Sequence, residues 1–225
     1  MTATSPPPLP ASARLVGEGR TCLVYAIDDG TVLRRYRDLQ RDVSGEAEAM
    51  QAAARGGVPV PAVRAANGPD LLMDVVPGPT MLTQMLAHPD EVREHAGTLA
   101  ALHARLDRVR LGRPAGDRLG LLHGDLHPGN VILSPDGPVL VDWTNNDVGP
   151  RSLDVAMTWL LLACFAPPIV EPAGMAAMRA ALVEGFLERV DRVAARRSLT
   201  DAADVRLRDA NTTVAERERI RDLLR

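Results

Sequence analysis

His123-Gly124-Asp125-Leu126-His127-Pro128-Gly129-Asn130, followed twelve residues later by Asp142 in Val139-Leu140-Val141-Asp142-Trp143, is the stretch on which the reading of this chain turns. Two apolar runs, Val131-Ile132-Leu133 and Val139-Leu140-Val141, flank Ser134-Pro135-Asp136-Gly137. Pro at the second position of that turn and Gly at the fourth predict a β-hairpin. With Asp136 as its midpoint, Asn130 and Asp142 each lie six residues away. They are then expected to face each other across the strand pair, about 5 Å apart. Mg²⁺ takes oxygen ligands and few protein carboxylates, so one ion can draw an oxygen from each. Asp125, on the loop five residues earlier, is left to act as a base. Base, metal-binding amide and metal-binding carboxylate, in that order, is the arrangement of phosphoryl transfer. The competing reading is a surface hairpin with a polar loop.

Composition narrows the classes. At 225 residues the chain can bury a core as one domain or two small lobes. Hydrophobic and charged contents of 46% and 24% are globular values. A net charge of −3 with no basic stripe suggests neither a nucleic-acid nor an anionic-membrane partner. Cys22 and Cys164, few and far apart, fit a reducing cytoplasm with no disulfide framework. The Pro- and Ser-rich start lacks a basic and an apolar segment, so residues 1–12 read as a flexible tail and not a signal peptide. The most apolar run, Val155 to Phe165, is too short to span a bilayer and reads as a buried helix. All 26 basic residues counted as Lys or Arg are Arg, so any role that needs lysine falls to Arg.

Strands are expected at Leu15-Val16, Cys22 to Ile27, Thr31 to Tyr36, Val63 to Ala66 and Leu71 to Val76. A helix with Ser44 as N-cap is expected to Arg55. Pro77-Gly78-Pro79 then breaks the pattern and helices follow. Val92, Ala96, Leu99, Leu102, Leu106 and Val109 recur at helical spacing within 89–109. A buried helix is expected over 152–165, an amphipathic one over 172–196, and two short terminal ones. The last of these starts at Thr213, with Glu216 completing a capping box. Gly17-x-Gly19, between the first two strands, is either a phosphate-contacting loop or a plain turn.

His123-Gly124-Asp125, with His-Pro-Gly before Asn130, resembles the aminoglycoside phosphotransferases and their small-molecule kinase relatives. Leu71-Leu72-Met73 leading to Pro77-Gly78-Pro79-Thr80-Met81, Asp142-Trp143-Thr144-Asn145 and Asp154-Val155-Ala156 are similar to the same family, as is Asp209-Ala210-Asn211. The resemblance implies an α+β, protein-kinase-like two-lobed fold. Its N-lobe would be a small antiparallel sheet with one helix (13–76), and its mainly helical C-lobe would carry the catalytic loop and the metal hairpin (77–225).

The same resemblance implies a Mg²⁺-dependent enzyme moving the γ-phosphoryl group of ATP or GTP to a hydroxyl of a small molecule. Asp125 would be the base, and Asn130 and Asp142 the Mg²⁺ ligands. Kinases place a small apolar residue over the base and a cation two residues on, and Val32 and Arg34 match that phase. Arg34 would replace the usual Lys with a two-pronged guanidinium, paired with Glu46. Met73, Asp74 and Val76 would line the hinge against the base, with Ile132 as the floor beneath it. Gly17 and Gly19 would approach the phosphates. His123 and Asp154 would be structural, Asp154 bracing the loop, while His127 either sits near phosphate or shapes the loop. Asp147, Glu171, Glu184 and Glu188 are the acidic candidates for a polycationic acceptor. Two other classes compete. One is a nucleotide-binding module without turnover, suggested by Arg34 and by Cys22 standing where a third loop glycine would be. The other is a metal-dependent phosphohydrolase built on His123-x-Asp125-x-His127.

Overall fold

The computed structural model describes residues 8–110, 119–164 and 174–225. Much of the predicted tail, residues 1–7, and Glu171 lie outside the described residues. The fold is α+β, as expected. Strands β1 (Arg14–Glu18), β2 (Cys22–Ala26) and β3 (Thr31–Tyr36) are followed by helix α1 (Ser44–Arg55), then β4 (Val63–Asn67) and β5 (Asp70–Asp74). These strands form one antiparallel sheet in the order β1-β2-β3-β5-β4. Helix α1 sets Ala47, Met50 and Ala53 into the core. Its expected cap is displaced by one position. Val43 is the N-cap, Ser44 is already helical, and Asp42 accepts the Ser44 N–H at 2.9 Å.

The helical part opens with α2 (Met81–Ala87), capped by the Thr80 side chain on the Thr83 N–H. This helix was not foreseen, although Thr80 and the buried pair Met81 and Met85 signal it. Next come α3 (Val92–Leu106), β6 (Leu119–Leu122), the hairpin β7 (Val131–Ser134) and β8 (Gly137–Leu140), and β9 (Asp147–Pro150). The six apolar positions read along α3 and its C-terminal flank are all buried. Strands β6 and β9 pair antiparallel, and neither was foreseen. Helix α4 (Arg151–Cys164) is apolar nearly all round because α5 (Met175–Leu187), α6 (Arg192–Arg197), α7 (Leu199–Arg208) and α8 (Val214–Leu224) all pack on it. The single amphipathic helix expected over 172–196 is two helices, since Asp191 caps a new one on the Ala194 N–H. Thr213 caps α8 as expected, but Glu216 does not close the box: its carboxylate binds Arg206 at 2.7 Å. No helix among the described residues is long and apolar enough to cross a membrane.

The hairpin register differs from the expected one. Ser134 pairs with Gly137 and Val131 with Leu140, so the loop has two residues and its centre lies between Pro135 and Asp136. Asn130 therefore falls opposite Val141, whose N–H donates to the Asn130 carbonyl at 2.9 Å, and not opposite Asp142.

Candidate active site

Asp142 leaves the hairpin with a backbone φ of +61°, the one non-glycine residue in the left-handed region among the described residues. Asp tolerates that conformation better than most residues, and such local strain concentrates at functional sites. This turn, rather than the strand phase, sends its carboxylate to Arg34 and Thr144. Buried Trp143 anchors the turn, its Nε1–H donating to the Leu140 carbonyl.

The loop before the hairpin is held from beneath by Asp154 at the start of α4. Its carboxylate accepts the N–H of His123 at 3.2 Å and of Gly124 at 2.7 Å. Gly124 has φ +75°, and a Cβ there would run into the Asn145 carbonyl, so only glycine fits the step between His123 and Asp125. His123 is fully buried. Its Nε2 donates to the Val141 carbonyl at 3.0 Å and its Nδ1 accepts the Asp125 N–H at 3.3 Å. Burial lowers its pKa to about 4. A neutral imidazole with both nitrogens on backbone joins the loop to the hairpin and has no nitrogen left for a metal. His127 shapes the loop: its Nδ1 accepts the Gly129 N–H at 3.0 Å, and burial lowers its pKa to about 4.

Asn130 donates its Nδ2 to the Asp125 carbonyl at 2.9 Å and to the Asp125 carboxylate at 3.3 Å. The amide is thereby oriented, and its oxygen is the atom left for a cation. Burial pushes the Asp125 carboxyl up to about 7, Asp142 adding to the rise, while Arg206 and Asn130 oppose it. Asp142 behaves oppositely. Burial pushes it up, but Arg34, the Thr144 hydroxyl and His123 outweigh burial and hold it below the usual carboxylate range.

On the sheet side, Val32, Arg34 and Tyr36 share one face of β3. The Arg34 guanidinium contacts Glu46 of α1 and reaches Asp142 at 3.0 Å. The expected Arg34–Glu46 pair is therefore present, with Asp142 as a third member. Met73 pairs with Val32 across the β3–β5 ladder. Asp74 ends β5 with its N–H on the Ala62 carbonyl and its carboxylate on Arg64, and Val76 follows two residues beyond. Ile132 on β7 bridges to Thr80, which fastens the hairpin to the segment after the sheet. Gly17 lies within β1 opposite Val24, and Gly19 closes a tight turn by donating its N–H to the Cys22 carbonyl.

Three residues escaped the sequence reading. Tyr36 and Thr144 link Glu46 to Asp142 by hydroxyls. Arg206, on α7, is held by Glu216 at 2.7 Å and Asp209 at 3.1 Å, and its charge acts on Asp125. Of the acidic candidates, Glu184 and Glu188 are both occupied by Arg93 of α3, and Asp147 sits exposed on β9.

A loop carrying a buried carboxylate, an oriented amide and a second carboxylate facing a paired cation on a five-stranded sheet come together in a kinase-like fold. The family model described as "Phosphotransferase enzyme family" (APH) matches residues 12–116 and 109–199. The chain belongs to that family. Among solved structures, aminoglycoside phosphotransferase APH(4)-Ia is similar at a TM-score of 0.70 and 13% identity, with 95% of this chain and 93% of that one covered. The gentamicin complex of APH(2")-IIa is similar at 0.63 and 12%, covering 95% and 88%. Likeness at such identity is likeness of fold. In sequence, the chain is 38% identical over 71 residues to a thiamine kinase of Shigella boydii, covering 32% of this chain and 25% of that protein. It is 30% identical over 115 residues to a probable bifunctional tRNA threonylcarbamoyladenosine biosynthesis protein of Methanocorpusculum labreanum, covering 49% of this chain and 19% of that protein. The chain thus matches a quarter or less of the length of these curated relatives.

Proposed function

We propose that this chain transfers the γ-phosphoryl group of ATP or GTP to a hydroxyl of a small molecule. The observation that carries the reading is the Asp125–Asn130 unit. One side chain is a carboxylate raised to about 7 by burial, and the amide bonded to it leaves an oxygen for a cation. Residues 13–76 would form the nucleotide lobe and residues 77–225 the lobe that carries the chemistry. Val32 and Ile132 would sandwich the base, with Met73, Asp74 and Val76 at the hinge and Gly17 and Gly19 near the phosphates. Arg34, held by Glu46, would face the phosphates.

Asn130 and Asp142 are the oxygen donors that suit Mg²⁺. Bound there, it would neutralise charge developing on the phosphates. Asp125 orients the acceptor hydroxyl and takes its proton as transfer proceeds, so most of the rate comes from positioning and electrostatics. One similar structure is a ternary complex of a thermostable mutant of APH(4)-Ia with AMP-PNP and hygromycin B, which supports a nucleotide and a small molecule as partners. The free thiols of Cys22 and Cys164 fit work in the cytoplasm. The phosphohydrolase alternative loses one of its three ligands, because His123 spends both nitrogens on backbone.

A second reading, nucleotide binding without transfer, is favoured by one observation: Arg34 occupies the Asp142 carboxylate. The discriminating experiment measures ADP or GDP release with aminoglycosides, amino alcohols and sugar alcohols as acceptors, in wild type and Asp125→Asn. Acceptor-dependent release lost in the variant supports transfer. Nucleotide binding with no release for any acceptor supports the second reading.

A further inference from the structure

Five polar side chains close a ring between the sheet and the hairpin. Arg34 contacts both Glu46 and Asp142. The Tyr36 hydroxyl donates to the Glu46 carboxylate at 2.8 Å. The Thr144 hydroxyl donates to Asp142 at 2.6 Å and lies 2.7 Å from the Tyr36 oxygen. Arg41 secures the far side, its guanidinium 4.4 Å above the Tyr36 ring and its Nη2 donating to the Thr144 carbonyl at 3.3 Å. The side chains of Arg34 and Glu46 are 8% and 3% exposed, whereas that of Asp142 is 47% exposed. Asp142 is therefore where the ring opens to solvent and can meet a cation.

We infer that Thr144 is a positioning residue for Asp142: its hydroxyl fixes the carboxylate for the cation and, through Tyr36, couples it to the Glu46 end of α1. The inference rests on the metal role given to Asp142 above. The geometry sets two demands on this position. Asp142 sits in a left-handed turn, so the strand ladder does not fix its carboxylate. Arg34, its other partner, is a cation and competes with any metal for the same charge. A neutral donor can hold the carboxylate while a metal displaces Arg34, and Thr144 is that donor. The ring also has two hydroxyl hydrogens for three contacts. With the Thr144 hydrogen on Asp142, the Tyr36 hydrogen serves either Glu46 or the Thr144 oxygen, so coupling to α1 competes with the Tyr36–Glu46 bond and leaves the hold on Asp142 intact. Loss of such an outer partner lowers metal affinity by about 10- to 100-fold.

The test is the Mg²⁺ concentration that half-saturates nucleotide-dependent thermal stabilisation, measured with ATP and with GTP. It compares wild type, Thr144→Val and Thr144→Ser, with the melting point of the unliganded protein and Mg²⁺-free nucleotide binding as controls. Thr144→Val is expected to need about 10- to 100-fold more Mg²⁺ with both controls unchanged, and Thr144→Ser to restore the wild-type requirement. If Thr144→Val folds poorly, Thr144→Ala against Thr144→Ser makes the same comparison. An unchanged requirement in Thr144→Val, or a Ser variant as impaired as Val, overturns the role of Thr144 while leaving the site intact. A wild type with no Mg²⁺-dependent stabilisation overturns the metal site itself, and this inference with it.

Discussion

The Arg34 guanidinium joins two carboxylates from distant parts of the chain, Glu46 on α1 and, at 3.0 Å, Asp142 on the turn after β8. A planar guanidinium can grip two carboxylates at once, where an ammonium offers a compact point charge. Arg34→Ala would leave Glu46 buried without a counter-charge, and breaking a buried pair costs roughly 3–5 kcal/mol. Urea denaturation should show a loss of that order, with Arg34→Lys losing less and transfer falling sharply in the Ala variant. Unchanged stability and turnover in Arg34→Ala would contradict both roles.

Asp125, raised to about 7, must be ionised to take a proton. The value of kcat/KM for the acceptor should therefore rise with pH through about 7 and level off above it. Asp125→Asn should keep nucleotide binding and lose this limb together with the turnover. Full activity in Asp125→Asn would remove Asp125 as the base.

Asp154 accepts two buried backbone N–H groups and approaches His103 at 3.6 Å. Each donor orphaned by Asp154→Ala should cost about 1–3 kcal/mol. The two donors sit on different oxygens of the carboxylate, so an amide in its place can still serve one of them. Asp154→Asn, which keeps an acceptor oxygen, should therefore lose less than Ala in denaturant midpoint. Equal losses would mean that the charge itself holds the loop.

His103, buried and bonded to the Thr158 hydroxyl, is lowered by burial from 6.5 to about 4. The unfolded chain takes up its proton first as pH falls. The stability contributed by the neutral ring is present above about 6.5 and lost between 6.5 and about 4. His123 and His127 act in the same direction, whereas the raised Asp125 and Asp154 act against it. His103→Gln should flatten the fall in melting temperature across that window. A variant as acid-sensitive as wild type would place the sensitivity elsewhere.

Much of this was legible in the sequence because local pattern carries it. The five strands, the span of α1 and the buried face of α3 follow from alternation, turn residues and helical spacing. What escaped depends on tertiary geometry. Counting from Asp136 put Asn130 opposite Asp142, but a two-residue loop moved the register by one, and the left-handed backbone of Asp142 turned its carboxylate where strand phase would not. The pair β6 and β9 is short and non-local, so no local period announces it. Arg206 meets the charge of Asp125 from 81 positions further along the chain, and one Arg among so many on terminal helices carries no mark of that role. Tyr36 ends a strand and Thr144 follows Asp142 by two positions, and neither placement announces that the fold brings their hydroxyls together.

The proposed Mg²⁺–nucleotide site depends on Asp142. It is tested most directly by thermal shift with Mg²⁺·ATP and Mg²⁺·GTP in wild type and Asp142→Ala. A ligand at about 100 times its Kd adds roughly 2.7 kcal/mol, a readily measured shift. Stabilisation by one or both nucleotides that requires Mg²⁺ and vanishes in Asp142→Ala is the predicted result. No stabilisation of the wild type by either nucleotide, or stabilisation that survives loss of Asp142, would contradict the account.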